Sequence, residues 1–250
     1  MITWGKTHIG RVRNENEDCY IIHYQGGKGF LAVADGMGGH QAGEVASAMA
    51  INSLYLHLKD VLNASTINRD KDWLSFLREG VEKSNDRIYK AALEVADYSG
   101  MGTTLTAALI LGNRLYVAHV GDSRLYFYRQ RVLQLLTRDH SLIQDLLEEG
   151  LVNPKEALTH PRRHILTQAV GTEKKVEVET RCLELLPGDL CLLCTDGLSN
   201  SVTDAEMEEI LDKHNSLAGR GQALLDLANG RGGEDNVTIV LAQVEPHSCE

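Results

Sequence analysis

Residues 30–44 read FLAVADGMGGHQAGE. An apolar run stops at Asp35 and a glycine-rich turn follows. The ending recurs: YVAHVGDSR at 116–124 runs into Asp122, and LCLLCTDGLS at 190–199 runs into Asp196. GGEDNVTIVLAQV at 232–244 is the mirror case, with Asp235 just ahead of an apolar run. Short apolar runs bounded by turn residues read as strands. Four carboxylates are therefore expected at the tips of rigid elements.

If neighbouring strands bring those tips together, several negative charges share one cleft. Like charges at close range raise one another's pKa values or force the fold apart. A hard divalent cation removes the conflict, and carboxylate and carbonyl oxygens suit magnesium or manganese. Asp35-Gly36 and Asp196-Gly197 are expected to leave the backbone open, so that a carbonyl coordinates and no Cβ crowds the ion. A single Asp-Gly is ordinary turn chemistry. Four strand-flanking carboxylates in one chain favour the metal cleft.

Further strand-like runs occupy 19–24, 104–111, 114–120, 124–129, 132–136 and 176–183. Gly112-Asn113 predicts a hairpin between 104–111 and 114–120. Helical periodicity marks 42–58, 73–95, 141–149, 204–213 and 221–229, and Thr203-Asp204-x-Glu206 reads as a helix start. Strands in adjacent pairs with helices inserted in pairs predict antiparallel sheets covered by helices, an α+β arrangement. Residues 1–18 turn polar at once; they show no secretory signal and receive no element. The uncharged stretch 98–113 is too short to span a bilayer.

The 250 residues, 43% apolar and 24% charged, can bury one sizeable core. A net charge of -10 opposes binding to nucleic acid but leaves room for a phosphate site with a local cation. Five scattered cysteines indicate free thiols in a reducing cytoplasm. Cys191 and Cys194 are expected on opposite faces of one strand rather than in a zinc knuckle. No Walker sequence is present. Val33 stands where a DxD aspartyl nucleophile motif would need its first Asp.

Seven landmarks in order now carry a resemblance: RVRNENEDCY (11–20), ADGMGGHQAGEVAS (34–47), GMGTTLTAALI (100–110), VGDSRLY (120–126), TRDHS (137–141), LLCTDGLSN (192–200) and GGEDNVTIV (232–240). With them the chain resembles the metal-dependent Ser/Thr protein phosphatases of the type 2C family, in their compact bacterial form. The resemblance implies a four-layer αββα sandwich of two antiparallel sheets flanked by helices. It implies one phosphatase domain over 1–245, a flap insertion at about 140–165, and a short tail at 246–250. Two or three manganese or magnesium ions are implied. Asp35, the Gly36 carbonyl, Asp196 and Asp235 would hold the core pair, and Asp122 with Asp196 a third. Asp18 would orient metal-activated water and Arg13 would grip the substrate phosphate.

The implied reaction is hydrolysis of phosphoserine and phosphothreonine in proteins, reversing a Ser/Thr kinase, by a cytoplasmic monomer that binds neither nucleic acid nor membrane. The proton for the leaving oxygen is less defined. Eukaryotic relatives carry a histidine where this chain has Met37; His40 either takes that part or stabilises its loop. The basic end of the flap, Thr159-His160-Pro161-Arg162-Arg163-His164, either attracts acidic phosphopeptides or is simply solvated. Asn236 reads as a turn-stabilising amide. Two other readings are a phosphatase of small metabolites and an inactive regulatory binding module.

Overall fold

The computed structural model describes residues 1–39, 42–65 and 72–245. Its central strand is β3 (Lys28–Met37). Phe30, Ala32 and Ala34 point into a core shared with helices, whereas Leu31 and Val33 point into a second core between two sheets. Burial on both faces explains why the run is continuously apolar rather than alternating.

β3 lies between β2 (Asp18–Gln25) and β5 (Leu105–Leu111), and the sheet continues through β6 (Arg114–Val120) to β9 (Glu179–Glu184). A short β4 (Gly102–Thr103) pairs with the end of β3. The second sheet runs β1 (Ile2–His8), β11 (Val237–Gln243), β10 (Leu190–Cys194), β7 (Arg124–Arg129), β8 (Val132–Leu135). Every strand pair is antiparallel.

Helices α1 (Ala42–Asn63) and α2 (Trp73–Glu94) cover the first sheet. Two short helices, α3 (Leu142–Glu148) and α4 (Pro154–Thr159), lie in the segment between β8 and β9. After a single turn at α5 (Asp196–Ser199), α6 (Asp204–Lys213) and α7 (Leu217–Gly230) cover the second sheet. The expected four layers are present. No helix among the described residues is long and apolar enough to cross a membrane.

Local signals were read correctly where they are strong. β5 and β6 form the hairpin around Gly112-Asn113. Thr203 and Glu206 close a reciprocal capping box at the start of α6. Cys191 faces the inter-sheet core and Cys194 the α6/α7 core. Burial pushes both thiols up to about 12, so they behave as inert core side chains.

Two expectations need correction. Residues 2–8 form β1, which pairs along its whole length with β11. Its half-exposed pattern hid it, and Gly5 lacks a Cβ because Tyr20 and Ile22 pack within 2.8 Å of where one would lie. Strand β9 also begins at Glu179 rather than Val176. Val176 and Val178 owe their apolar character to packing on the helix-side core. The ladder with β6 stops at His119↔Glu179, and β6 turns at Gly121 before reaching the position opposite Val176.

Candidate active site

The strand order fixes where the acidic tips lie. In the β2–β3 pair, Asp18 stands directly opposite Asp35. In the other sheet, Asp196 follows β10 and Asp235 precedes β11, its neighbour. Asp122 occupies the β6–β7 turn, where the chain crosses from one sheet to the other. Arg13, Asp35, Asp122, His164, Asp196 and Asp235 line one cleft of about 750 Å³. Asp18 lies behind its wall, buried.

The carboxylates feel one another. Burial pushes Asp18 up to about 7, with the charges of Asp196 and Asp235 adding to the rise and hydroxyl hydrogen bonds opposing it. Asp35 is held well above the ordinary carboxylate range by burial, then by the charges of Asp18, Asp196, Asp122 and Asp235. Asp122 is raised by burial and by Asp196. Asp196 is raised by burial and by Asp235, while a hydrogen bond with Asp35 and the charges of His164 and Arg13 pull it down.

The hydrogen bonds around the cluster are lopsided. Thr195 Oγ1 donates to Asp18 Oδ2 at 2.8 Å, yet Asp18 Oδ1 is buried with no donor. Asn200 Nδ2 donates to Asp196 Oδ2 at 3.0 Å, yet Asp196 Oδ1 is buried with no donor. Unsatisfied buried oxygens are costly unless something else supplies positive charge. Hard carboxylate oxygens in and behind a polar cleft, two of them without a donor, fit magnesium or manganese.

The backbone frame is braced by hydroxyls and one amide. Asp35 N–H donates to Thr104 Oγ1 at 2.9 Å, and that oxygen also bonds Ser123 Oγ beside Asp122. Thr238 N–H donates to Thr195 Oγ1 at 3.0 Å. Asn236 Nδ2 donates to the carbonyls of Ile9 and Glu15, and its Oδ1 accepts from Glu17 N–H. Asn236 is therefore the turn-stabilising amide that its position indicated.

The glycines do something other than expected. A Cβ on Gly36 would lie 2.0 Å from the Gly43 carbonyl at the start of α1, and a Cβ on Gly197 would lie 2.0 Å from the Asn236 carbonyl. Both glycines let protein backbones approach each other closely, rather than clearing space for an ion.

Arg13, half-exposed at the cleft, donates through Nη2 to Asp235 Oδ2 at 2.8 Å. His40 lies outside the described residues. Of the basic flap end, His164 lines the cleft, while Arg162 and Arg163 are exposed and absent from its lining. Sequence reasoning gave no part to Glu17 or Thr195, read Thr104 only as packing and His164 only as part of the basic flap end. Thr195 was findable as the hydroxyl residue directly before Asp196; the others come close only through the fold.

Residues 4–228 match the family Protein phosphatase 2C. The chain belongs to that family. It is thus a metal-dependent protein phosphatase, a hydrolase. Among its relatives, the serine/threonine phosphatase stp of Listeria monocytogenes is 41% identical over 239 residues, which span 95% of this chain and 94% of the relative. The solved Mycobacterium tuberculosis serine/threonine phosphatase PstP/Ppp superposes with a TM-score of 0.86 at 38% identity, over 98% of each chain. A structure of the PstP catalytic domain in complex with 2 manganese ions gives 0.85 at 39% identity, again over 98% of each chain.

Proposed function

We propose that this phosphatase hydrolyses phosphoserine and phosphothreonine of protein substrates in the Asp35–Asp196–Asp235 cleft, as one catalytic domain spanning 1–245. Asp35, the Gly36 carbonyl, Asp196 and Asp235 would hold a pair of manganese or magnesium ions, and Asp122 with Asp196 a third. Bound there, the cations supply a water nucleophile of lowered pKa and neutralise charge on the phosphoryl oxygens. The observation that carries the reading is the set of half-satisfied, mutually repelling carboxylates at one sheet edge.

The chain's own groups have separable tasks. Asp18, anchored by Thr195 behind the cleft wall, accepts a proton or hydrogen bond from water on the cleft side through its free Oδ1. Arg13 uses Nη2 on Asp235, and its remaining guanidinium N–H groups grip the phosphate, fixing phosphorus for attack. The braces through Thr104 and Asn236 hold these groups on rigid elements.

The reading extends to a cytoplasmic monomer that reverses a Ser/Thr kinase. Free thiols at Cys19, Cys182, Cys191 and Cys194 support a reducing compartment. The test is phosphate release from a phosphothreonine peptide. Manganese should stimulate it, and chelator or Asp196→Asn should abolish it. Chelator-resistant turnover refutes the metal reading. Turnover of small phosphorylated metabolites in preference to phosphoproteins refutes the substrate class.

A further inference from the structure

Outside the cleft, ligand-type atoms of His119, His140 and Glu179 lie within 4.8 Å of one another. A cation site there would displace existing bonds, because both His119 nitrogens are engaged. Nδ1 meets Thr106 Oγ1 at 2.8 Å and Nε2 meets the Arg138 carbonyl at 2.9 Å. His140, from the TRDHS landmark, makes a different set of contacts. It is buried, its ring lies 4.9 Å from that of His119, and burial holds its pKa below the ordinary histidine value. Burial favours the neutral ring, in which Nδ1 can accept a hydrogen bond.

Both polar groups of Gly121 are tied to His140. Gly121 N–H donates to His140 Nδ1 at 3.2 Å, and His140 N–H donates to the Gly121 carbonyl at 2.7 Å. Gly121 immediately precedes Asp122. Its φ of +107° places it in glycine territory, and a Cβ there would meet Thr104 at 2.6 Å, so the turn has no slack on its other side. The His140 carbonyl meanwhile accepts from Thr167 N–H at 2.9 Å, and Leu142 N–H donates to the Ile165 carbonyl at 2.9 Å. These bonds close the base of the flap, whose returning limb, Leu166 and Thr167, lines the cleft. The next residue back, Asp139, takes the Arg124 fork two residues past Asp122.

We infer that His140 is a positioning residue: it brackets Gly121 so that the Asp122 carboxylate and the base of the flap hold one fixed relation. The inference rests on the reading of Asp122 as a ligand of the third cation, which two carboxylates hold more weakly than the larger donor set holds the core pair. It gives the TRDHS landmark a physical task, joining the Asp122 turn to the insertion beside the cleft. No titration of His140 is needed; the bracket requires only a backbone N–H and an acceptor at the Nδ1 position.

The test uses the full-length phosphatase with three variants. In His140→Asn, Oδ1 stands close to where Nδ1 was; in His140→Gln the acceptor sits a bond further out; His140→Leu has none. Manganese binding is followed by titration calorimetry, and amide hydrogen exchange is followed on the metal-free protein. The expected result is a loss of about tenfold or more in the affinity of the weakest manganese class for Gln and Leu. The tight class should stay unchanged, and Asn should stay near wild type. Exchange at Gly121 and Thr167 should rise in Gln and Leu alone. Equal weakening of tight and weak classes would mean a merely structural residue and overturns the inference, as does an Asn variant as impaired as Gln. If Leu fails to fold, the comparison of Asn with Gln still decides. Asp122→Asn run alongside separates the two layers: an unchanged weak class there removes Asp122 as a ligand, whereas its loss with all His140 variants intact removes only the bracket.

Discussion

Replacing Asp18 with Asn should make the metal-free phosphatase more stable while stopping catalysis. Asp18 ionises near 7 in the folded protein against 3.8 ordinarily, because it is buried beside Asp196 and Asp235. Between those two values the folded chain holds a proton that the unfolded chain has released, so stability falls as pH rises. Above both values the displacement corresponds to about 4 kcal/mol, more than half of it lost between pH 5 and pH 8. Asn keeps an acceptor for Thr195 and removes the buried charge. At pH 8 the variant should therefore melt roughly 8–16 °C above wild type, and the gap should shrink to less than half at pH 5. The assay is thermal unfolding in chelator at both pH values, followed by circular dichroism. Excess manganese should narrow or reverse the gap, since it stabilises the wild-type folded state by mass action. A metal-free wild type whose melting point is flat or rises from pH 5 to pH 8 would refute the electrostatic account, as would an Asn variant unchanged at pH 8.

Three more perturbations separate the parts of the site. Arg13→Ala should raise KM for a phosphothreonine peptide roughly 10–100-fold, the worth of a charged hydrogen-bonded clamp, with manganese affinity retained in calorimetry. Thr195→Val removes both the donor to Asp18 and the acceptor for Thr238 N–H, and should cost about 1–3 kcal/mol in urea unfolding. Gly36→Ala drives a Cβ against backbone at 2.0 Å and should destabilise by about 3 kcal/mol or more, with no rescue by manganese. A stable Gly36→Ala protein that has merely lost metal affinity would instead restore the view that the glycine clears room for the ion.

The fold was legible where burial leaves a one-dimensional trace. β3 could be read because both of its faces are covered, which forces an unbroken apolar run, and α6 because its cap is written in four adjacent residues. β1 left no such trace: it is half-exposed, and its partner β11 is at the other end of the chain. The glycine at 36 was misread for a related reason. Its neighbour in space is Gly43 on α1, and nothing in the local Asp-Gly pair distinguishes a glycine opposite an ion from one opposite a carbonyl. Similarly, Asn236 could be placed in a turn, but not given its targets at Ile9 and Glu15, more than two hundred residues upstream.

The positions of the acidic tips were readable; which buried aspartates the protein neutralises itself was not, and the hydrogen bonds show the difference. Asp139 and Asp189 are also largely buried. Both oxygens of Asp139 accept from the Arg124 fork, and both oxygens of Asp189 accept from Arg129, with Leu186 N–H adding a bond to Oδ2. Those carboxylates are neutralised by the protein itself and have nothing left to offer. Asp18 and Asp196 have no arginine fork: Thr195 and Asn200 donate to their Oδ2 atoms, while each Oδ1 is buried without a donor. A donor supplied to each Oδ1 would have made a more stable apoprotein; Asp18→Asn reaches the same end by removing the buried charge. The chain spends arginine forks on Asp139 and Asp189 and withholds them from the cleft interior, where the one nearby guanidinium, Arg13, stays at the half-exposed mouth. Among the described residues, Glu17 Oε1 joins Asp18 Oδ1 and Asp196 Oδ1 as a buried carboxylate oxygen without a donor, and all three belong to the cleft region, where a cation would relieve them.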